Sequence, residues 1–500
     1  MEKEIKETKR ISSRLSSKTS NFWVKERNER ALDLFHRAAE QVPAYKKFLA
    51  RHKINHKKIK TWNDFQKVPT INKKNYLRYY PYRELFWDGN PAKNSNYTST
   101  TGSTGEPFYF PREKKLDWQG SLIHERFLNS FSDEKTSTLV IVAFGMGVWI
   151  GGLITYSGYE ITRDRSKNKI SIITPGLNKN EIFSALKKLS PLFDQTIICG
   201  YPPFVKDVVD EAIADGIDLP KLKVKFSFAA ESFTEGFRDY LAEHAGLSNK
   251  YLETINVYGS ADIGAMAAET PLSILARELA TSDKKLFNDV FGGIEKTPTF
   301  AQFNPEFISF EEDHGEIVLT GDNTIPLIRY TIGDNGGVIS FADLKDKFKA
   351  NGLDLKKEAT KAGIIDQITE LPFVYVYERK DLSTTIYGLN VFPEFIKDAL
   401  LRPELAKYCT GKMAMCTKFN NEQDQYLEIN VEMKKQVKAS VALRHKVQKT
   451  VLENLLKKSS EYRELYRFIG NRALPKIVLW PAEDLTFFRP GIKQKWVIKS

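Results

Sequence analysis

Between Tyr97 and Pro107 the chain sets hydroxyl side chains at Thr98, Ser99, Thr100, Thr101, Ser103 and Thr104 around two glycines, Gly102 and Gly105. Serine and threonine compete for backbone hydrogen bonds and glycine is conformationally loose, so the stretch predicts a loop rather than a helix or strand. The backbone N–H groups and hydroxyls of such a loop can surround an anion, phosphate above all. The phosphate grip of ordinary nucleotide hydrolases is excluded, because it needs lysine after the second glycine and Gly105 is followed by Glu106. A Ser/Thr/Gly linker fits the same composition, so the elements around the loop must decide between the two.

The chain of 500 residues has material for two to four domains. Its 41% hydrophobic and 12% aromatic content is that of a globular protein with a large core. Cys199, Cys409 and Cys416 have neither metal-ligand spacing nor disulfide density, which predicts a reducing, cytoplasmic setting and three small core residues. The charged start, Glu2 to Arg10, is not a secretory signal. The uncharged run from Leu139 to Tyr156 raises the question of a membrane span, but its four glycines divide it into a buried strand over 139–144 and a loop leading into a packed helix. A net charge of +12 raises nucleic acid as a partner. The lysines are dispersed, however, with no basic run interleaved with aromatics, and such a surface would equally attract ATP, coenzyme A or an acidic carrier protein.

Residues 1–95 read as helical and end in an aromatic cluster that includes Tyr76, Tyr80 and Trp87. His36, His52, His56 and His124 lie singly on helical patterns and read as surface or core histidines. From Ser171 to Tyr258 short apolar strands alternate with helical patterns, which predicts βαβ units and functional residues at the carboxyl ends of the strands. Between Glu311 and Val338 the texture turns strand-rich. A charged, partly helical insertion over 336–377 follows, and then an α/β tail.

Across these elements stand Ala229-Ala230-Glu231, Tyr258-Gly259-Ser260-Ala261-Asp262 and Arg329-Tyr330-Thr331-Ile332-Gly333-Asp334. After them come Glu378-Arg379-Lys380-Asp381, Gly388-Leu389-Asn390-Val391-Phe392-Pro393 and the closing Phe488-Arg489-Pro490-Gly491-Ile492-Lys493-Gln494-Lys495-Trp496-Val497. Each motif is weak alone. In this order, with the hydroxyl-glycine loop, they resemble the adenylate-forming superfamily from about residue 60 to the end. The loop and the Gly388–Pro393 segment point to its phenylacetate-CoA ligase-like branch.

The resemblance implies an α/β protein with a large domain over 1–378, built of βαβ-type sheets plus a small β-structure, and a smaller mobile domain over 379–500. It implies that ATP and a carboxylic acid give an acyl-adenylate, whose acyl group passes to a thiol, most often that of coenzyme A. Thr100, Thr101, Gly102, Ser103, Thr104 and Gly105 would hold the β- and γ-phosphates. Ala230, Glu231, Tyr258, Gly259 and Ser260 would form the adenine slot, with the tyrosine able to stack on the base. Asp334 would take the ribose hydroxyls, a task suited to a carboxylate, though a turn aspartate after glycine is an equal reading.

Asp262 stands where the family has a glutamate that ligates Mg²⁺, one methylene longer. Its other reading is an acid at a helix N-terminus. Arg379 would lie by the ribose or phosphates, and Asp381 at a hinge. Glu378 and Leu382 depart from the family's glycine and second acid there. Lys493, with Lys495 as rival, takes the place of the lysine that meets charge developing during adenylation. No cysteine precedes the small domain after Cys199, so no structural zinc is expected. An acyl pocket is expected between Phe144–Trp149 and Gly200–Pro203. A carrier-protein thiol or an amine as acceptor, and a degenerate nucleotide-binding protein without ligase activity, are the alternatives.

Overall fold

The structure is a computed structural model that describes residues 2–91, 95–100, 108–147, 150–292, 297–379, 384–488, 497 and 498. The chain opens with three helices, Glu2–Ser17, Ser20–Gln41 and Pro43–Arg51. The second buries Trp23, Ala31, Leu34, Phe35 and Ala38, an apolar stripe at helical period. It stops at Val42, whose extended backbone is what a following proline demands, and Pro43 starts the next helix. The pair of opening helices docks through Glu306, whose buried carboxylate takes Arg10, and Arg14 and Arg30 at 3.3 Å each.

The first two strands, β1 (Asn96–Thr100) and β2 (Phe108–Arg112), pair antiparallel, with Thr100 opposite Phe108. The hydroxyl-rich stretch therefore begins as a strand, contrary to the expectation of loop throughout. Thr98 and Thr100 alternate inward and are buried, and β-branched residues on a half-buried ribbon favour the extended form. Residues 101–107, which contain the two glycines, connect the two strands and lie outside the described residues.

The main sheet takes in β3 (Ser137–Ala143), β4 (Lys169–Ile173), β5 (Gln195–Gly200), β6 (Val224–Ala229) and β7 (Thr254–Ser260). It continues with β8 (Gly264–Ala268), β9 (Thr299–Gln302), β10 (Ile308–Asp313), β11 (Glu316–Gly321), β12 (Leu327–Ile339) and β13 (Phe373–Arg379). The order is β10-β11-β12-β13-β9-β8-β7-β6-β5-β3-β4 in one sheet of 11 strands. From β4 to β7 the neighbours are parallel and linked by helices, the predicted βαβ alternation; from β7 to β10 they are antiparallel. The apolar run divides as expected into buried β3 and a helix over Ile150–Arg165. No helix among the described residues is long and apolar enough to cross a membrane.

In the antiparallel half strand β12 runs on past Gly333, so Asp334 is a strand residue opposite Arg379, at an irregularity in the pairing, and the reading of it as a turn aspartate falls. The segment 336–377 is partly helical as expected: its ends are paired as β12 and β13, and helices Phe341–Ala350 and Leu355–Lys361 fill the excursion.

Past residue 383 a small ribbon, β14 (Thr384–Ile386) with β15 (Leu389–Val391), precedes a sheet of β16 (Cys409–Phe419), β17 (Gln425–Met433) and β18 (Lys476–Trp480). Helices Val441–Lys458 and Ser460–Ile469 cover it. Its rim meets helix Pro202–Ala214 of the main sheet through a knot of charges. Arg472 reaches Asp207 at 2.6 Å and Asp424 at 3.0 Å, Lys206 reaches Asp424 at 2.9 Å, and the Tyr387 hydroxyl donates to Asp207 at 3.1 Å. Burial pushes the Asp424 carboxyl up, but Arg472 and Lys206 outweigh it and hold the group at about 2.

Removing Arg472 takes from the buried Asp207 its shortest ion pair and leaves it Lys179 at 3.9 Å and the Tyr387 hydroxyl. Arg472→Met is expected to lower unfolding free energy by about 1–2 kcal/mol, and Asp207→Asn added to it to recover most of the loss. Urea titration of both variants measures this; a single variant as stable as wild type would show that the knot contributes nothing.

Candidate functional site

The carboxyl ends of β5, β6 and β7 open onto one cavity of about 880 Å³, bounded on the far side by β14–β17 and the start of helix Ser460–Ile469. This is where ligands bind in α/β sheets, because the helices and loops that follow the strands leave a crevice there. Phe144, Ile154, Tyr201, residues 229–234 and 256–262, Asp334 and Gln425 are in its wall.

At the end of β6, Ala230 takes φ of +77°, a left-handed conformation that costs a residue with a Cβ about 1 kcal/mol. The turn it makes presents the backbone of 229–232 to the cavity. Glu231 is held at both ends: its carbonyl accepts from Asn256 Nδ2 at 2.9 Å, and its carboxylate accepts from Gln425 Nε2 at 2.7 Å and from the Gly388 N–H. Its side chain thus braces the C-terminal sheet from the cavity wall.

At the end of β7, Gly259 has no room for a side chain, since a Cβ would lie 2.8 Å from the Gly264 carbonyl. Strand β8 can fold back against β7 only because of that glycine. Tyr258 donates its hydroxyl to Asp334 Oδ2 at 2.5 Å, bringing together two residues that lie 76 positions apart. A carboxylate has further lone pairs for hydroxyl donors beyond that bond. Ser260 Oγ is buried with no hydrogen bond to a described residue.

Asp262 is 2% exposed and committed: Lys73 Nζ lies 3.0 Å from Oδ1, and the Tyr330 hydroxyl donates to Oδ2 at 2.6 Å. Lys73 is brought there by a bridge in which Ile71 pairs with β12, its N–H donating to the Arg329 carbonyl at 3.0 Å. A divalent cation on Asp262 would have to displace an ammonium already seated there, so the carboxylate as placed does not fit Mg²⁺. Among the described residues no cluster of three acids, histidines or cysteines could hold a metal either.

Thr100 is the last described residue before the glycines and lies in the cavity wall. Thr101, Gly102, Ser103, Thr104, Gly105, Asp381, Lys493 and Lys495 lie outside the described residues. Arg379 is described only through its backbone, opposite Asp334. Of the expected acyl pocket, Phe144 and Tyr201 meet edge to face at 5.0 Å in the wall, and residues 148 and 149 lie outside the described set.

The cavity also contains residues that the sequence did not single out. Asn256 is 2% exposed; its Nδ2 holds Glu231 and its Oδ1 has no partner among the described residues. Strand alternation from Tyr258 could have found it, because residues two apart share a face. Lys73, His124 as a cavity residue, and Glu461 carry no sequence signal, being brought in from remote helices and loops. Burial pushes the Glu461 carboxyl up to about 7 and the His124 imidazole down to about 4, so His124 is neutral at physiological pH.

The Glu461 shift has a sign that can be measured. An unfolded glutamate ionises near 4.5, so between there and about 7 folding must hold the group neutral, and above about 7 it must bury a charge. Glu461→Gln is expected to match wild type at pH 4 and to exceed it by roughly 1–3 kcal/mol at pH 8. Unfolding titrations at the two pH values check this, and a gap of equal size at both would refute it.

No protein-family model matches the sequence, and no curated protein matches it. Solved structures do. The 2-hydroxyisobutyryl-CoA ligase in complex with 2-HIB-AMP and CoA, in the thioesterification state, is similar at TM-score 0.64 and 17% identity, over 97% of this chain and 91% of that one. The same ligase in the postadenylation state with 2-HIB-AMP is similar at 0.51 and 17%, over 97% and 91%. Its open conformation is similar at 0.51 and 18%, over 94% and 90%. The chain has the fold of the adenylate-forming ligases.

Proposed function

We propose that this protein is an AMP-forming acid–thiol ligase, which activates a carboxylic acid with ATP and passes the acyl group to a thiol, that of coenzyme A. The observation that carries the proposal is the set of polar groups that line one cavity. Asn256 Oδ1 is an acceptor suited to an exocyclic amine, the Tyr258–Asp334 pair is suited to ribose hydroxyls, and Lys73, Ser99 and Thr100 are a cation and two hydroxyls suited to phosphates. The Gly388–Pro393 segment and the loop motif favour the phenylacetate-CoA ligase-like branch.

In the first half-reaction a carboxylate oxygen bonds to the α-phosphorus and pyrophosphate leaves. In the second the thiol sulfur bonds to the acyl carbon, AMP leaves and the thiol proton passes to solvent. The hydroxyl-glycine loop, Thr100 to Gly105, would hold the departing phosphates, and Lys493 would offset charge building at the α-phosphate. Residues 1–378 and 379–500 would be the two domains, turning at Asp381 so that one cavity serves both steps. The stronger likeness to the thioesterification state, 0.64 against 0.51 for the postadenylation state, supports assigning the present arrangement to the second step.

Acid-dependent exchange of pyrophosphate into ATP tests the first half over a panel of aliphatic, aromatic and hydroxylated acids. Exchange with at least one acid is expected, reduced about 10²–10³-fold by Lys493→Ala and far less by Lys495→Ala. No exchange with any acid would leave a nucleotide-binding protein without ligase activity. Adding coenzyme A and weighing the product identifies the acceptor.

Asp334→Asn keeps the shape but loses the charge that two hydroxyls can share. It is expected to raise KM for ATP about tenfold or more. An unchanged KM would remove Asp334 from the site.

A further inference from the structure

Helix Lys114–Asn129 crosses helix Ile150–Arg165 so closely that Gly158 cannot be anything larger: a Cβ there would lie 2.3 Å from His124 Cδ2. The crossing lays the His124 ring 4.6 Å from the Tyr159 ring and into the cavity wall, which also holds Thr155, one turn before Tyr159 on the same helix face. His124 is 3% exposed and Thr155 5%. Neither ring nitrogen of His124 makes a hydrogen bond to a described residue, and Nδ1 is sealed from solvent. Thr155 Oγ1 makes none to a described residue either.

The same seam satisfies its hydroxyl where it faces away from the cavity: Thr162 donates to the Gly158 carbonyl at 2.8 Å and lies 3.2 Å from that of Ser121. A buried polar group without a partner costs on the order of 1–3 kcal/mol. Such groups remain at His124 and Thr155 in the cavity wall, and at the Tyr159 hydroxyl, which is not part of that wall.

A neutral imidazole carries one donor and one acceptor, and a threonine hydroxyl can act as either. Held uncharged by burial, His124 brings no positive charge to offset the desolvation of a second carboxylate. We propose that the acid activated in this cavity carries an uncharged group that both donates and accepts a hydrogen bond, a hydroxyl or an amide, and that His124 and Thr155 recognise it. The inference rests on the proposed acyl-adenylate chemistry and assigns the substrate class for it.

The test uses acyl-sulfamoyl-adenosines, stable mimics of acyl-adenylates, in pairs that differ only by a hydroxyl or amide walked along the acyl chain. Calorimetric titration of the full-length protein is expected to find a position at which the polar member binds 10–100-fold tighter than its plain partner. His124→Leu and Thr155→Val should each cut that ratio to threefold or less while leaving the plain partner's affinity unchanged, and Thr155→Ser should keep it.

A ratio under threefold at every position, or one that survives both variants, overturns the inference while the adenylate chemistry stands. If no member of the panel binds, the proposed function fails and takes the inference with it. A variant that lost the plain partner too would point to damage of the fold, and Thr155→Ser then decides: loss of the ratio there, with the plain partner still bound, also overturns it.

Discussion

The ion pair between Lys73 and Asp262 joins parts of the chain that lie far apart in the sequence. Asp262 follows β7, Lys73 comes from the turn after the opening helices, and Tyr330, which completes the carboxylate's bonds, belongs to β12. A carboxylate 2% exposed must be compensated or it destabilises the fold by several kcal/mol, so these three segments are obliged to meet. Their meeting fixes one side of the cavity. It also puts a lysine into the cavity wall that holds Ser99 and Thr100, from 32 residues upstream of Gly105.

The opposite wall depends on close approach. Gly259 lets β8 turn back on β7, which converts a parallel sheet into an antiparallel one at the site itself. Where that change occurs, Tyr258 faces Asp334 across the two halves. Ala230 adds a strained turn on the neighbouring strand, and strain of this kind persists only where the surroundings over-determine it. Here they do: Asn256 holds the carbonyl of the next residue, and Gln425 and Gly388 hold its carboxylate.

Much of this was legible in the sequence because it is local. Alternation of apolar runs with helical patterns gave β4 to β7 to within a residue or two, with a helix after each of the first three, and small residues at strand ends marked the turns. The misreadings came where distant pairing overrode local preference. Thr98 and Thr100 form a strand because Phe108 and Phe110 offer one to pair with, and Asp334 sits in a strand because Arg379 lies opposite. Lys73, His124 and Glu461 were invisible for the same reason, since each reaches the cavity only by its place in three dimensions. Nothing in the types or spacing of their neighbours foretells that place.

Glu231 shows how the two sides of the cavity are coupled. Its main chain belongs to the wall at the end of β6, and its carboxylate belongs to the C-terminal sheet through Gln425 and the Gly388 amide. Moving that sheet away leaves a part-buried carboxylate without two of its donors, a cost that only water or a new partner can offset. The charge knot at Asp207 adds a second tie at the far end of the same contact. Any rearrangement that opens the cavity on this side must therefore break both ties. The hydrogen bonds that would have to be replaced lie at the turn made by Ala230, so the placement of the C-terminal sheet and the shape of the β6 wall cannot vary independently.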